Sequence, residues 1–131
     1  MAMGNPYEQY KQQGVMTAHP VKLIIMLYEG AIKQLRLARM AVESKDAPNA
    51  NTAFQKAQQI LLELTMSLDL QYPIAKDLMN LYDFMTREIM EANINKDASH
   101  IEPLIEMLSN LKEAWVQVQK LNPTSMSVAE E

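Results

Sequence analysis

Apolar residues recur along the chain at steps of three and four, the spacing that places side chains on one face of a helix. The first run is the most apolar. Ile24, Leu27, Tyr28, Ala31, Leu35, Ala38 and Val42 form one stripe, and Leu23, Met26, Gly30, Leu37 and Met40 form a second beside it. A surface helix has one such stripe, so two stripes predict a central helix covered on more than one side. Pro20 suits a first helical turn, where its missing N–H costs no intrahelical bond, and Thr17 or His19 stands where a cap is expected.

Residues 44–51, with Asp46, Pro48 and two asparagines, read as a loop that also supplies an N-cap. A second stripe-bearing segment follows: Ala53, Ala57, Ile60, Leu61, Leu64 and Leu68 predict a helix ending near Leu70, with Leu62 and Met66 off the stripe. Tyr72-Pro73 restarts the chain. Ile74, Leu78, Leu81, Tyr82, Met85 and Ile89 predict the third helix, with Met79 and Met90 off its centre. Residues 93–97 form a polar break, and Ser99 with Glu102 has capping-box spacing. Leu104, Leu108, Leu111, Trp115 and Val118 then predict a fourth helix, ended by Asn122-Pro123.

Four amphipathic segments of about 20 residues, each ~30 Å long and joined by short loops, predict an all-α fold: an antiparallel up-down-up-down four-helix bundle. Residues 17–122 make the bundle in this reading. Residues 1–16 precede it as a short N-terminal helical cap segment, and residues 123–131 form a flexible tail. Tyr7 and Tyr10, three residues apart, would share a face and lie in a groove of the bundle, either as an ordinary docked terminus or as a displaceable cap. Helices one and three also share a faint echo, Leu27-Tyr28-Glu29 with Lys33 and Leu81-Tyr82-Asp83 with Arg87.

At 131 residues the chain is one domain, long enough to bury roughly 65–70% of its unfolded surface. Its net charge of −4 and lack of a Lys/Arg cluster argue against nucleic acid. The absence of cysteine removes disulfides, thiolate metal sites and a Cys nucleophile, and fits a cytoplasmic setting. The longest apolar run, residues 23–28, is far short of the ~18–20 residues that span a bilayer, so no membrane insertion is expected. The first residues do not read as a secretory leader.

A di-iron bundle enzyme would need inward Glu residues on four helices and two Glu-x-x-His pairs. His19 and His100 are the two histidines, both at helix starts, and no phosphate loop or nucleophile elbow occurs. No catalytic residue, cofactor or metal site is expected.

The eleven methionines are more informative, because a flexible, polarizable side chain fills irregular gaps but also repacks around variable apolar partners. Met26, Met66, Met79 and Met107 lie off the best stripes. With Leu23 and Leu62 they are the candidate groove for a helix or wrapped peptide. The same leftover face could instead support a homodimer, as an assembly module would use it.

Several ordered motifs carry a family resemblance. Tyr10-Lys-Gln-Gln-Gly-Val15, Thr17-Ala-His-Pro20, Leu23-Ile-Ile-Met-Leu-Tyr28-Glu-Gly-Ala31, Leu81-Tyr82-Asp83-Phe84-Met85 with Arg87, Ala92-Asn93 and Lys112-Glu-Ala-Trp115 together resemble the flagellin-specific export chaperone family, FliS. The resemblance covers residues 7 to about 118. Tyr72-Pro73 departs from the Gly-rich turn common in the family, and Glu88 from a second basic residue after Arg87. The resemblance implies a non-catalytic holdase that binds the disordered C-terminal segment of new flagellin in the cytoplasm, prevents premature polymerisation and escorts it to the flagellar export apparatus. It further implies that Tyr7, Tyr10 and Val15 belong to an N-terminal cap that yields to the client.

Overall fold

A computed structural model describes residues 19–121 of the chain. Four helices, α1 (Val21–Glu43), α2 (Ala47–Met66), α3 (Pro73–Asn95) and α4 (Ile101–Leu121), are joined by short loops, with a 3₁₀ turn (Ala98–His100) leading into α4. The all-α bundle expected from the periodicity is the fold. The cap segment, including Tyr7, Tyr10 and Val15, and the tail lie outside the described residues.

Helix α1 is central, packing on α2 along one side and on α4 along the other, while α2 carries α3 on its far side. This explains its breadth of apolar surface. Ile24, Tyr28, Ala31, Leu35 and Ala38 are buried as the first stripe predicts, and Val21, Ile25, Ile32 and Ala41 are buried as well. The second stripe is covered in part by α2: a Cβ added at Gly30 would lie 3.3 Å from Ile60 Cδ1, so glycine permits a close approach of the two helices. Leu37 and Met40 remain exposed.

The helix ends differ from expectation in four places, each for a local reason. Pro20 is the N-cap of α1, with no side-chain cap hydrogen bond, so His19 does not cap and Thr17 lies outside the described residues. Helix α2 stops at Met66 rather than near Leu70. Asp69 takes the Gln71 backbone N–H at 3.2 Å and its side-chain amide at 2.8 Å, a local turn that competes with helix, and Pro73 holds Tyr72 in extended backbone. The polar break begins later than predicted, since α3 runs through Ile94 to Asn95. Finally, Ser99 and Glu102 do not form a capping box: Asp97 accepts from Ser99 N–H at 2.9 Å, and Glu102 pairs with Arg39 of α1.

Asp46 caps α2 as the loop composition suggests, accepting from Asn49 N–H at 3.3 Å. Helices α1 and α3 end alike. The Asp46 N–H returns to Ala41 C=O at 2.8 Å and the Asp97 N–H to Ala92 C=O at 3.0 Å, the six-to-one bond of a Schellman end. The left-handed residue in each is a lysine, Lys45 at φ 60° and Lys96 at φ 49°, where glycine is the usual choice.

Core assignments hold on the later helices with one slip of phase. Ile74 is 49% exposed and its neighbour Ala75 is fully buried, so the stripe of α3 starts one residue later than the apolar pattern indicates. Phe54 of α2 and Ile101 and Ile105 of α4 are further core residues. The echo between α1 and α3 has a structural counterpart, because Tyr28 and Tyr82 meet in the core. Their hydroxyls are hydrogen-bonded to each other, their ring centroids lie 6.3 Å apart, and Trp115 Nε1 donates to the Tyr28 hydroxyl at 3.2 Å. Burial pushes both phenols up from the ordinary tyrosine value, so both are protonated hydrogen-bond donors.

Candidate functional site: an apolar groove on helices α2 and α3

Outside this core, apolar side chains collect along the outer side of α2 and the neighbouring face of α3. Leu62 is 57% and Met66 73% exposed, large values for side chains of this kind in a packed bundle. Two hollows meet at Leu62. One, of about 400 Å³, is lined by Gln58, Leu62 and Thr65 of α2 and by Met79, Asn80, Asp83 and Thr86 of α3. The other, of about 410 Å³, is lined by Gln59, Leu62, Glu63, Met66, Ser67 and His19.

Several polar groups in this surface are engaged within their own helices, and Gln58, Gln59, Glu63 and Asn80 line it as well. Thr65 Oγ1 donates to Leu61 C=O and Thr86 Oγ1 to Tyr82 C=O, both at 2.9 Å, which uses their hydroxyls inside the helix and leaves their methyls for the surface. Asp83 is paired with Arg87 one turn on. Asn93 donates to Asn51 Oδ1 at 2.8 Å, tying the two helices together beyond the hollow. A ligand here would meet more apolar than polar surface, with the Gln58, Gln59, Glu63 and Asn80 side chains within the lining.

Of the six groove residues expected from the sequence, the structure gathers Leu62, Met66 and Met79 around the two hollows. The other three lie on α1 and α4. Leu23 and Met26 belong to α1, where Leu23 is half-buried and Met26 is 56% exposed. Met107 of α4 is half-buried against the core. None of these three lines either hollow.

Two further apolar residues of α3 are exposed, though neither lines a hollow. Met90 and Ile94 follow Asp83 and Arg87 at helical spacing on the same face of α3, and both are exposed. Met90 was legible as an off-stripe apolar residue, whereas Ile94 was hidden among Asn93, Asn95 and Lys96 in what reads as a loop.

The junction before α4 is polar and separate from the groove. His100 Nδ1 lies 2.8 Å from Glu88 Oε1 and its Nε2 3.7 Å from Asp97 Oδ2. The hydrogen bond with Glu88 raises the His100 pKa above its ordinary value, and the Ser99 N–H lowers that of Asp97. Glu88, a departure from the family pattern, thus serves as a partner for His100. Among the described residues no group of three His, Cys, Asp or Glu side chains could hold a metal ion, and no helix is long and apolar enough to cross a membrane.

A helical bundle with an exposed apolar groove fits a protein-binding module, and comparison with known proteins gives the family. The family model described as "Flagellar protein FliS" matches residues 3–122. The flagellar secretion chaperone FliS of Bacillus subtilis (strain 168) is 36% identical over 117 residues, covering 89% of this chain and 88% of the relative. That of Salmonella typhimurium (strain LT2) is 37% identical over 110 residues, covering 82% of each. A solved structure described as a flagellar chaperone from bacteria superposes with a TM-score of 0.74 over 93% of this chain and 100% of its own, at 21% identity, which supports the fold. The chain belongs to the FliS family of flagellar secretion chaperones. This is a family of chaperones and not of enzymes.

Proposed function

We propose that this chaperone binds the disordered C-terminal segment of flagellin in the cytoplasm, holds it back from polymerisation and escorts it to the flagellar export apparatus. The observation that carries the reading is the apolar surface centred on Leu62, left open on α2 and α3 of a bundle whose core is complete without it. A segment that folds on binding can lay the apolar face of a helix along such a groove. In this proposal residues 1–16, with Tyr7, Tyr10 and Val15, cover the apolar surface until the client arrives. The lack of cysteine suits a reducing compartment.

Calorimetric titration tests this with flagellin and with flagellin lacking its C-terminal segment. The expected result is an approximately one-to-one complex with the intact client and none with the truncated one. Coupled folding should bury ~1,000–3,000 Å² and give a negative heat-capacity change. Equal binding of both clients would refute the proposal. A mass that doubles with concentration in the absence of client, and reverts on Leu62→Asp, would instead assign the groove to a homodimer.

A further inference from the structure

A second surface, away from the α2–α3 groove, lies on the C-terminal half of α1. Lys33, Arg36, Leu37 and Met40 are spaced by three and four residues and so form one continuous patch. All four are exposed, Leu37 at 42% and Met40 at 62%. Glu29 has the i,i+4 spacing to pair with Lys33 one turn away, but in the structure it reaches across to Lys112 of α4 at 3.4 Å. Arg39 is likewise taken by Glu102. Lys33 and Arg36 make no ion pair with any described residue.

A third cation joins them from α2. Gly30 meets Ile60, and α1 and α2 run antiparallel. Lys56, one turn before Ile60 on the same face of α2, therefore stands level with Lys33, one turn after Gly30. It too is exposed and without an ion pair among the described residues. Three cations with no ion pair among the described residues thus surround two exposed apolar side chains, in a chain whose net charge is −4.

We propose that this patch docks an acidic amphipathic helix of a partner protein, with Leu37 and Met40 against its apolar face and Lys33, Arg36 and Lys56 paired with its carboxylates. The dimensions and the charge select that occupant. From Lys33 to Met40 the helix rises about 10 Å, close to the width of one crossing helix. Exposed acids bound the patch along α1, Glu29 before it and Glu43 after it. A broad anionic membrane would be pressed against those carboxylates, whereas a single helix crossing between them meets only the cations.

Fluorescence anisotropy tests the proposal with a labelled synthetic peptide of about five helical turns, carrying Leu on one face and Glu on both flanks, and its counterpart with Gln for every Glu. The Glu peptide should bind at least about tenfold more tightly than the Gln peptide, and about tenfold more weakly to the Arg36→Glu/Lys56→Glu variant. Leu37→Ser/Met40→Ser should weaken it comparably with an unchanged thermal midpoint, since both side chains are exposed. Raising salt from about 0.05 M to about 0.5 M should weaken binding. Leu62→Asp should leave it unaltered, which separates this face from the client groove. The proposal is overturned by a Glu peptide that fails to bind or binds no better than the Gln peptide. It is equally overturned by charge reversal without effect, or by binding that depends on Leu62. Binding to vesicles of about three parts phosphatidylcholine to one part phosphatidylglycerol, with none to the peptide, would assign the patch to a membrane. Self-association abolished by Leu37→Ser/Met40→Ser would assign it to a second copy of the chain.

Discussion

The tyrosine pair at the centre of the bundle allows a prediction about which hydroxyl matters more. Two phenol oxygens and one indole nitrogen are gathered there, and Trp115 can only donate, so its N–H goes to the Tyr28 oxygen. The bond between the two hydroxyls can run either way, and each arrangement leaves one hydroxyl hydrogen without an acceptor in the set. Replacing Tyr82 by Phe removes one hydrogen bond but still leaves one unpaired donor, the Tyr28 hydroxyl. Replacing Tyr28 by Phe is worse. It strands the Trp115 N–H and the Tyr82 hydroxyl together, two buried donors in place of one.

A typical intramolecular hydrogen bond contributes a net ~0.5–1.5 kcal/mol, and a newly unsatisfied buried donor costs ~1–3 kcal/mol. Tyr82→Phe should therefore destabilise by about 1 kcal/mol and Tyr28→Phe by about 2–4 kcal/mol. Urea denaturation measures both, with unchanged slopes showing that the midpoint shifts report stability. In thermal melts the difference corresponds to several degrees, at about 2–8 °C per kcal/mol across domains of roughly 60–250 residues. A Tyr82→Phe variant as unstable as Tyr28→Phe, or less stable, would refute the donor count. A double-mutant cycle should also show coupling, since the two hydroxyls share one bond.

Three further outcomes follow from other parts of the structure. Lys45→Gly should stabilise the protein by up to about 1 kcal/mol by relieving the left-handed backbone, as read from the urea midpoint. Lys96→Gly should gain less, because Lys96 Nζ also bonds Asn93 C=O at 2.7 Å and Asn93 Oδ1 at 2.8 Å. The raised His100 pKa makes stability fall with rising pH: its contribution is fully present below the ordinary value of 6.5 and disappears as pH climbs through the folded-state value. His100→Gln should flatten that part of a melting-temperature profile, and an unchanged profile would show that the Glu88 contact does not stabilise the charged imidazole. Leu62→Asp and Met66→Asp should abolish client binding in calorimetry while shifting the melting temperature little, because both side chains are largely exposed.

Helices were legible in the sequence because each buries a stripe, and a stripe leaves a period. What the period does not carry is how many neighbours a helix has. Ile25 and Ile32 lie beside the first stripe of α1 and are buried because α1 is flanked by both α2 and α4, a fact of assembly with no local signature. The same limit separates the methionines. Met66 and Met107 are both off-stripe, yet Met66 stands on an uncovered face and Met107 packs against the core. Helix ends failed for another reason: Ser99 with Glu102 has the right spacing for a capping box, but Asp97 two residues earlier captures the Ser99 N–H first.

The arrangement also bears on how a chaperone can keep an apolar surface open without losing its fold. Stability here is concentrated around α1, whose residues Tyr28, Ala31, Leu35 and Ala38 have no exposed surface, and truncating a core leucine such as Leu35 to Ala costs ~2–5 kcal/mol. Leu62 and Met66 sit on the side of α2 away from that contact, and the hollow that includes Met79 lies along the α2–α3 seam. Their apolar area contributes little to the folded state and remains available to a ligand. Under the proposed function the exposed methionine side chain of Met66 can repack around a client of variable sequence, while the buried faces of all four helices, Phe54 and Leu61 of α2 and Tyr82 and Met85 of α3 among them, hold the bundle. Substitutions in the groove should accordingly move affinity more than stability, and substitutions on the inner face of α1 the reverse.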